Sequence, residues 1–206
     1  MQKPIGLMFN GVWSQHRFAE TEPYRDRYAL VYTHGLTAER LAPFEVLVVP
    51  FQSNRQALSA CRHLIFDWLT DGRVLAVFGD NPGDLLPATW EDRPIDNYWW
   101  KTDPTRPPIA DTDRSHPLYG GLAPRHGAWH HHGVYTAVPD DAWVIQRTAS
   151  GEAITWQTSA FGGTLFASTK DPIVEYGVDQ IRHLDHYMTA FTAWVLSRVE
   201  VPSPAR

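Results

Sequence analysis

The chain has 206 residues, of which 43% are hydrophobic and 20% charged, and its nine tryptophans argue against a disordered or collagen-like protein. Its 18 basic and 23 acidic side chains give a net charge of −5, and no stretch is basic enough to neutralise a row of phosphates, so we expect no nucleic-acid partner. The single cysteine, Cys61, cannot form an internal disulfide, and the apolar stretch from Ile5 to Phe9 is too short for a signal or a membrane span. We therefore expect a single cytoplasmic domain over residues 1–206, with no membrane partner.

The first half of the chain alternates between apolar runs and helical patterns. Short apolar runs predict strands at Ile5–Phe9, Tyr28–Tyr32, Phe44–Val49 and Val74–Phe78. A short helix is predicted over Thr37–Leu41. A longer one, capped by Ser53 or Asn54, is predicted from an apolar stripe at Leu58, Cys61, Leu64, Ile65 and Trp68. This alternation predicts a parallel sheet covered on both faces, with ligands bound beyond the carboxyl ends of its strands.

The second half differs in texture. Residues 84–117 are rich in proline and tryptophan, which predicts an ordered excursion packed over the sheet, in the position of a lid. Alternating residues then predict antiparallel strands at Gly133–Val138, Trp143–Arg147, Ala153–Thr158 and Thr164–Ser168. A closing helix is predicted from an apolar stripe at Ile181, Leu184, Met188, Phe191 and Val195.

Three stretches carry a family resemblance. Phe44 to Asp80 reads as strand, long helix, glycine turn and strand; Ser115 to Leu122 contains a His-Pro, three residues, Gly-Leu element; and Trp129 to Asp171 leads into a last strand. Together they resemble the class I glutamine-amidotransferase-like superfamily and, within it, the trehalose-utilisation (ThuA-like) branch. The resemblance implies an α/β, flavodoxin-like three-layer sandwich with a mostly parallel central sheet and added antiparallel strands in the C-terminal half.

The departures from that superfamily concern its catalytic residues. The resemblance implies a nucleophilic cysteine after the fourth strand, where this chain has Phe78 and Gly79, and a His-x-Glu pair after the last strand, where it has Lys170 and Asp171. Cys61 cannot substitute, because it lies on the apolar stripe of a helix and is expected to be buried. We therefore expect no thiol-dependent glutaminase activity.

Three consecutive histidines suggest a metal site. If residues 130–132 are extended, His130 and His132 share one face and could hold one divalent metal ion, while His131 faces away. A third ligand would come from His126, His116, Asp111 or Asp113. The alternative is that these rings pack and hydrogen-bond at a loop edge beside Trp129.

Polar residues after the predicted strands form the expected site. Asp80 follows the fourth strand and could act as a general base, with His132 as electrophile or metal ligand and Asp171 as a further catalytic candidate. The expected ligand-binding rim comprises Asn10, Ser53, Asn54 and Asn81. The alternatives are that Asp80 and Asn81 stabilise a turn and that Asp171 begins a helix.

Two further groups admit two interpretations. The aromatic residues Trp90, Tyr98, Trp99 and Trp100 could stack on a sugar ring or a flat heterocycle, or could belong to the core. Asp179, His183 and His186 have the spacing of one helix face, which suits a metal, an acid-base pair, a contact with another copy of the chain or a solvated surface.

These observations lead to three functional hypotheses. The first is a ThuA-like small-molecule enzyme or binding protein that acts on a polar, sugar-like metabolite. The second is a non-catalytic protein of the same fold, serving ligand sensing or assembly with a partner enzyme. The third is a metal-dependent hydrolase that uses the histidine strand. A homo-oligomer is also expected, because the aromatic content is high for a fully solvated surface.

Overall fold

The computed structural model of the chain describes residues 4–80, 85–179, 181 and 183–200. Its strands are β1 (Ile5–Phe9), β2 (Tyr28–Tyr32), β3 (Val46–Val49), β4 (Val74–Phe78), β5 (Thr89–Glu91), β6 (Asp111–Thr112), β7 (Val134–Ala137), β8 (Trp143–Arg147), β9 (Ala153–Thr158) and β10 (Thr164–Ser168). Its helices are α1 (Trp13–Glu20), α2 (Ala38–Leu41), α3 (Arg55–Leu69), α4 (Trp99–Thr102), α5 (Pro117–Gly120), α6 (Pro124–Gly127), α7 (Pro172–Asp179) and α8 (His183–Glu200).

The described strands form one mixed sheet. Its order is β2-β1-β3-β4-β10-β9-β7-β5, with β8 on β9 and β6 on β8. The first five strands are parallel, and the pairings of β9, β7, β5, β8 and β6 are antiparallel. The expected α/β sandwich, with a parallel centre and antiparallel additions from the C-terminal half, is confirmed. Because β1, β3, β4 and β10 are adjacent and parallel, the loops that follow them meet at one edge.

Two apolar clusters lie on opposite faces of the sheet. Alternate residues of one strand divide between them: Ala76 and Phe78 pack with α1, α7 and α8, whereas Leu75 and Val77 pack with α3. All five residues of β4 are buried, as expected for a strand that is covered on both faces. This arrangement makes the sheet the middle of three layers.

Most of the predicted elements are confirmed, and two features differ. The helix α1 was not expected, because it is polar overall and only a few of its side chains, such as Phe18, are buried. The closing helix is preceded by a separate one: α7 ends at Asp179 and α8 begins at His183. The prediction of one helix face shared by Asp179, His183 and His186 is therefore wrong.

In the described part of the excursion, regular structure is limited to short pieces, namely the three-residue strand β5, the four-residue helix α4 and the two-residue strand β6. Trp99 and Ile109 anchor it in a third apolar cluster with Ala128 and Ile154 of β9. The segment is thus packed against the sheet, as expected. Within the described residues, no helix is both long and apolar enough to cross a membrane.

Candidate functional site

The loops after β1, β3, β4 and β10 bring polar groups to one edge of the sheet. After β1, Asn10 donates from Nδ2 to the carbonyl of Gln52 at 3.4 Å, and its buried Oδ1 has no partner among the described residues. Gln15 of α1 is fully buried and donates to the carbonyl of Phe51, while its Oε1 is likewise unpartnered. Buried polar atoms are normally hydrogen-bonded, so these two acceptors indicate that hydrogen-bond donors are missing among the described residues of this edge.

The centre of this edge is a pair formed by His132 and Asp171. Nε2 of His132 lies 2.8 Å from Oδ2 of Asp171. The Asp171 side chain is 1% exposed, whereas that of His132 is 28% exposed. Only one oxygen of the carboxylate is used, because Oδ1 is buried without a partner among the described residues. Of the two side chains, the imidazole of His132 is therefore the one that solvent or a ligand can reach.

The electrostatics of this pair follow from burial and from mutual contact. Burial alone disfavours the imidazolium of His132, but its hydrogen bond to Asp171 and the nearby carboxylates outweigh this effect and raise its pKa. Burial also raises the pKa of the Asp171 carboxyl, against the opposing effect of His132. The pair therefore favours retaining a proton between its two members.

Phe51 lies between His132 and Gly79. Its ring stacks on the His132 imidazole, with centroids 4.1 Å apart and planes 15° from parallel. Gly79, which follows β4, has a φ of +89°, and a Cβ built there would lie 2.5 Å from Cδ2 and 2.9 Å from Cα of Phe51. No side chain fits at Gly79 without displacing Phe51. The turn after β4 therefore has no room for a reactive side chain at Gly79.

Asp80 lies beside this pair and is ion-paired. Its Oδ2 is 2.5 Å from a guanidinium nitrogen of Arg55, the first residue of α3. Its negative charge helps to raise the pKa of His132, which places the two groups in electrostatic contact. Because Arg55 holds Asp80, the geometry favours His132 over Asp80 as the proton-handling group. Asn81 lies outside the described residues.

His130 lies near the same carboxylate as His132. Its ring stacks on Trp129 and its Nε2 accepts the indole N–H of Trp100 at 3.2 Å. Its Nδ1 lies 3.8 Å from Oε2 of Glu175. One ligand atom each from His130, Asp171 and Glu175 lie within 4.8 Å of one another. His132 and the four expected third ligands are outside this group.

His131 faces away from this group, as expected from strand alternation. It is 1% exposed and neither ring nitrogen has a partner among the described residues. Burial, followed by the nearby His132 and Lys170, lowers its pKa to about 3. The low pKa favours a neutral His131. The Asn97 side chain holds the backbone of this residue, because it donates to the His131 carbonyl and accepts the His131 N–H.

The two neighbouring tryptophans have different environments. Trp99 is 4% exposed and packs in the core, whereas Trp100 is 40% exposed. The Lys101 ammonium lies over the rings of both Trp100 and Tyr98, and Tyr98 is 61% exposed. Tyr98 and Trp100 therefore form an aromatic platform next to His130.

The expected rim residues after β3 have local structural partners. Ser53 donates from Oγ to the carbonyl of Pro50, and Asn54 caps α3 by accepting the backbone N–H of Ala57. The expected helix cap is thus confirmed at Asn54. These hydrogen bonds use Oγ of Ser53 and Oδ1 of Asn54, two of the polar atoms that were expected to bind a ligand.

Sequence reasoning found Tyr98 as part of the aromatic group but did not find Phe51 or Glu175. Glu175 could have been found from its spacing, because it lies four residues after Asp171 across a Pro172 that can begin a helix. The approach of His132 to Asp171, 39 residues apart, depends on strand pairing. No local pattern indicates that contact.

The fold defined by these elements is shared with several solved structures. No family model and no curated protein matches the chain. Among solved structures, it is similar to a protein described as a GMP synthase component from Thermoplasma acidophilum, with 14% identity, TM-score 0.62 and 95% of each chain covered. It is also similar to a ThuA-like protein of Bacteroides uniformis, with 14% identity, TM-score 0.56, and 94% of this chain and 91% of that one covered.

A third similar structure is the cytoplasmic protein STM3548 of Salmonella typhimurium, with 12% identity, TM-score 0.57, and 93% of this chain and 98% of that one covered. At these identities the likeness shows the fold alone. The neighbours described as a GMP synthase component and as a ThuA-like protein are consistent with the fold that the resemblance in the sequence implies.

Proposed function

We propose that this chain is a ThuA-like small-molecule enzyme that acts on a polar, sugar-like metabolite without a thiol nucleophile. The observation that carries this proposal is the His132–Asp171 pair at the carboxyl edge of the sheet, close to the His130 that the exposed aromatic platform contacts. Aromatic faces bind the apolar faces of sugar rings, and polar side chains at such an edge bind hydroxyl groups.

His132 supplies the chemistry in this proposal. Its Nε2 is held by Asp171, while its Nδ1 has no hydrogen-bond partner among the described residues. A histidine that is oriented by a carboxylate can take a proton from a hydroxyl group or a water through its second nitrogen. Asn10, which is partly exposed at the same edge, would bind a hydroxyl group of the same ligand.

Ligand binding can be tested with a panel of monosaccharides, disaccharides and polyols, using calorimetry. We expect saturable binding of at least one of them, weakened about tenfold by Trp100→Ala. Trp143→Ala is the matched control, because Trp143 is 37% exposed but contacts His116 and Asp113 instead. If no compound binds, or if both variants bind equally, the sugar-like ligand is excluded.

Catalysis can be separated from binding with His132→Gln. We expect this variant to bind the ligand and to turn it over about 100-fold more slowly than the wild type. A wild-type protein that binds the ligand and never changes it would support the alternative, a ligand-sensing or partner-binding protein. Turnover that survives unchanged in His132→Gln would overturn the catalytic assignment.

The absence of a thiol route can be tested directly. Cys61 is 6% exposed on α3 and its thiol donates to the carbonyl of Leu58. Burial raises the pKa of this thiol, which further disfavours a reactive thiolate. We expect no release of ammonia from glutamine that depends on Cys61; a release abolished by Cys61→Ser would contradict the proposal.

We retain the homo-oligomer and the cytoplasmic location as parts of this proposal. Trp13 and Tyr32 are 61% and 50% exposed, which supports a contact between copies of the chain. A single monomeric species in sedimentation at micromolar concentration would remove the oligomer.

A further inference from the structure

We propose that His130, Asp171 and Glu175 bind a divalent metal ion at the carboxyl edge of the sheet. The role of that ion, to bind and polarise a polar group of the ligand, rests on the proposed function. Metal binding itself does not, because it can be measured without any substrate. This ligand set replaces the pair of His130 and His132 that the sequence suggested.

The backbone places these residues before any ion binds. His132 donates its backbone N–H to the carbonyl of Thr169, and Asp171 donates to the carbonyl of His130, so that the histidine segment runs antiparallel to the end of β10. Glu175 lies one turn into α7, where its N–H donates to the carbonyl of Asp171. Residues four apart on a helix share a face, so the carboxylates of Asp171 and Glu175 lie on the same side of α7 and its first turn.

The distances suit a site that closes slightly around an ion. The three ligand atoms lie within 4.8 Å of one another, and Nδ1 of His130 is 3.8 Å from Oε2 of Glu175. Ligands that bind one ion at about 2.1 Å are about 3 to 3.5 Å apart. Small rotations of the three side chains are enough. One imidazole and two carboxylates suit Zn²⁺, Fe²⁺ or Mn²⁺.

The charge of the site gives an independent argument. The carboxylates of Asp171 and Glu175 have no ion pair with lysine or arginine among the described residues, and their ionic partners are histidines. Oδ1 of Asp171 is buried and unpartnered within that same part of the chain. The neighbouring Lys170 gives no compensation, because its amine donates to Tyr119 and Gly127. A buried carboxylate such as that of Asp171 needs compensation, and a cation held with the partly exposed Glu175 would provide it.

His130 and Trp100 provide a signal for metal binding. Because the Trp100 indole donates to Nε2 of His130, the neutral imidazole carries its proton on Nδ1, next to Glu175. An ion on Nδ1 requires the tautomer with its proton on Nε2, which then opposes the indole N–H. Trp100 must therefore lose this hydrogen bond and change its environment when the ion binds.

The test uses the metal-stripped, untagged full chain, titrated with ZnCl₂ and separately with MnCl₂ in a calorimeter. We expect one ion per chain and an affinity about 100-fold lower in Glu175→Gln. His130→Gln should have the same effect, and the Glu175 variant covers the case in which His130→Gln fails to fold. Tryptophan fluorescence should change on binding in the wild type, and Trp100→Phe should bind the ion with a smaller change, which comes from Trp129 stacked on His130.

His186→Gln is the matched control. His186 is exposed on α8 and its ring stacks on His126 near His183, so this cluster is the competing place for an adventitious ion. We expect this variant to bind like the wild type. Absence of binding, or binding that is lost in His186→Gln and retained in Glu175→Gln, would overturn the proposal.

The two proposals fail in distinguishable ways. Zinc binding that depends on Glu175, without binding of any sugar or polyol, would keep the metal site and reject the proposed ligand. Ligand binding by the metal-stripped protein, without zinc or manganese binding, would keep the proposed function and reject the metal site.

Discussion

Lys170 and Asp171 are neighbours in the chain and are both buried after β10, but they enter opposite kinds of surroundings. The Lys170 amine donates to the Tyr119 hydroxyl at 2.9 Å and to the Gly127 carbonyl at 3.0 Å, and it lies 4.1 Å from the centre of the Tyr187 ring. Asp171 has one histidine contact and, among the described residues, one unpartnered oxygen. The hydrogen-bonding groups of the Lys170 amine are matched by neighbouring acceptors, whereas one oxygen of the Asp171 carboxylate is not matched by a described donor.

The surroundings of Lys170 form a continuous network. Tyr119 passes a hydrogen bond on to Gln146, which also binds Thr155 and the Gly127 carbonyl. Burial holds the pKa of the Lys170 amine well below its usual value, which favours the neutral amine that such a network can accommodate. A satisfied buried network stabilises one structure, whereas unsatisfied groups at an edge leave room for a ligand. The comparison therefore separates a lysine whose hydrogen bonds are satisfied within the protein from an aspartate to which we assign a functional role by proposal.

The largest expected effect comes from Lys170→Ala. This change leaves a cavity beside Tyr119 and Tyr187 and should lower the free energy of unfolding by about 3 kcal/mol. Lys170→Met keeps most of the volume and should cost about 1 kcal/mol or less, because Tyr119 and Gly127 retain their bonds to Gln146. Urea denaturation measures both values.

Asp171→Asn is the matched change in the neighbouring residue. We expect it to alter the free energy of unfolding by no more than about 1 kcal/mol while weakening ion binding. A loss as large as that of Lys170→Ala would show that Asp171 is also structural, and the comparison would fail.

A smaller effect is expected from Gly79→Ala. The new Cβ would require a left-handed φ and would meet the Phe51 ring and backbone, which should cost about 2 kcal/mol. Because Phe51 stacks on His132, ligand binding should weaken as well. Denaturation and calorimetry measure the two effects. Gly72→Ala is the control, since its φ is +83° but no atom lies within 4 Å of the added Cβ. Equal losses in both variants would show that φ alone matters.

The fold could be predicted from the sequence because its evidence is local. The buried strands are continuous apolar runs, and β1, β2, β4, β8, β9 and β10 have the predicted bounds. The helix α1 could not be predicted, because its burial comes from packing against α7 rather than from an apolar stripe of its own.

The site could be predicted only in part. The expectation that residues after the strands come together follows from parallel topology, and Asn10, Asp80 and Asp171 do lie at that edge. Which of them contact one another depends on the pairing of residues 130–132 with 169–171, a non-local interaction. The different environments of Trp99 and Trp100 follow from the direction of the short helix α4, and the composition of this segment does not predict that direction.

The last expected effect is on the pH dependence of stability and concerns His116, whose ring packs against Tyr119 of the Lys170 network. It is fully buried, its Nδ1 accepts the N–H of Leu118, and its Nε2 is 3.0 Å from Oε1 of Gln157. Burial, only partly offset by Gln157, lowers its pKa, so the unfolded chain binds a proton at this position at a higher pH than the folded chain. Its contribution to stability is therefore present above about pH 6.5 and is lost as the pH falls below that value.

His116→Asn keeps an acceptor for Leu118 and removes the titrating group. We expect this variant to be less stable than the wild type at pH 7.5 by about 1 kcal/mol, because the contact with Gln157 is lost. The difference should narrow below pH 6.5 by at most about 1.4 kcal/mol per pH unit, since only the wild type binds an extra proton on unfolding. Urea denaturation between pH 5 and 8 measures it, with exposed His34→Gln as the control. If the difference stays constant over this range, His116 binds its proton equally in the folded and the unfolded chain. The buried surroundings of His116 would then tolerate a charged imidazole.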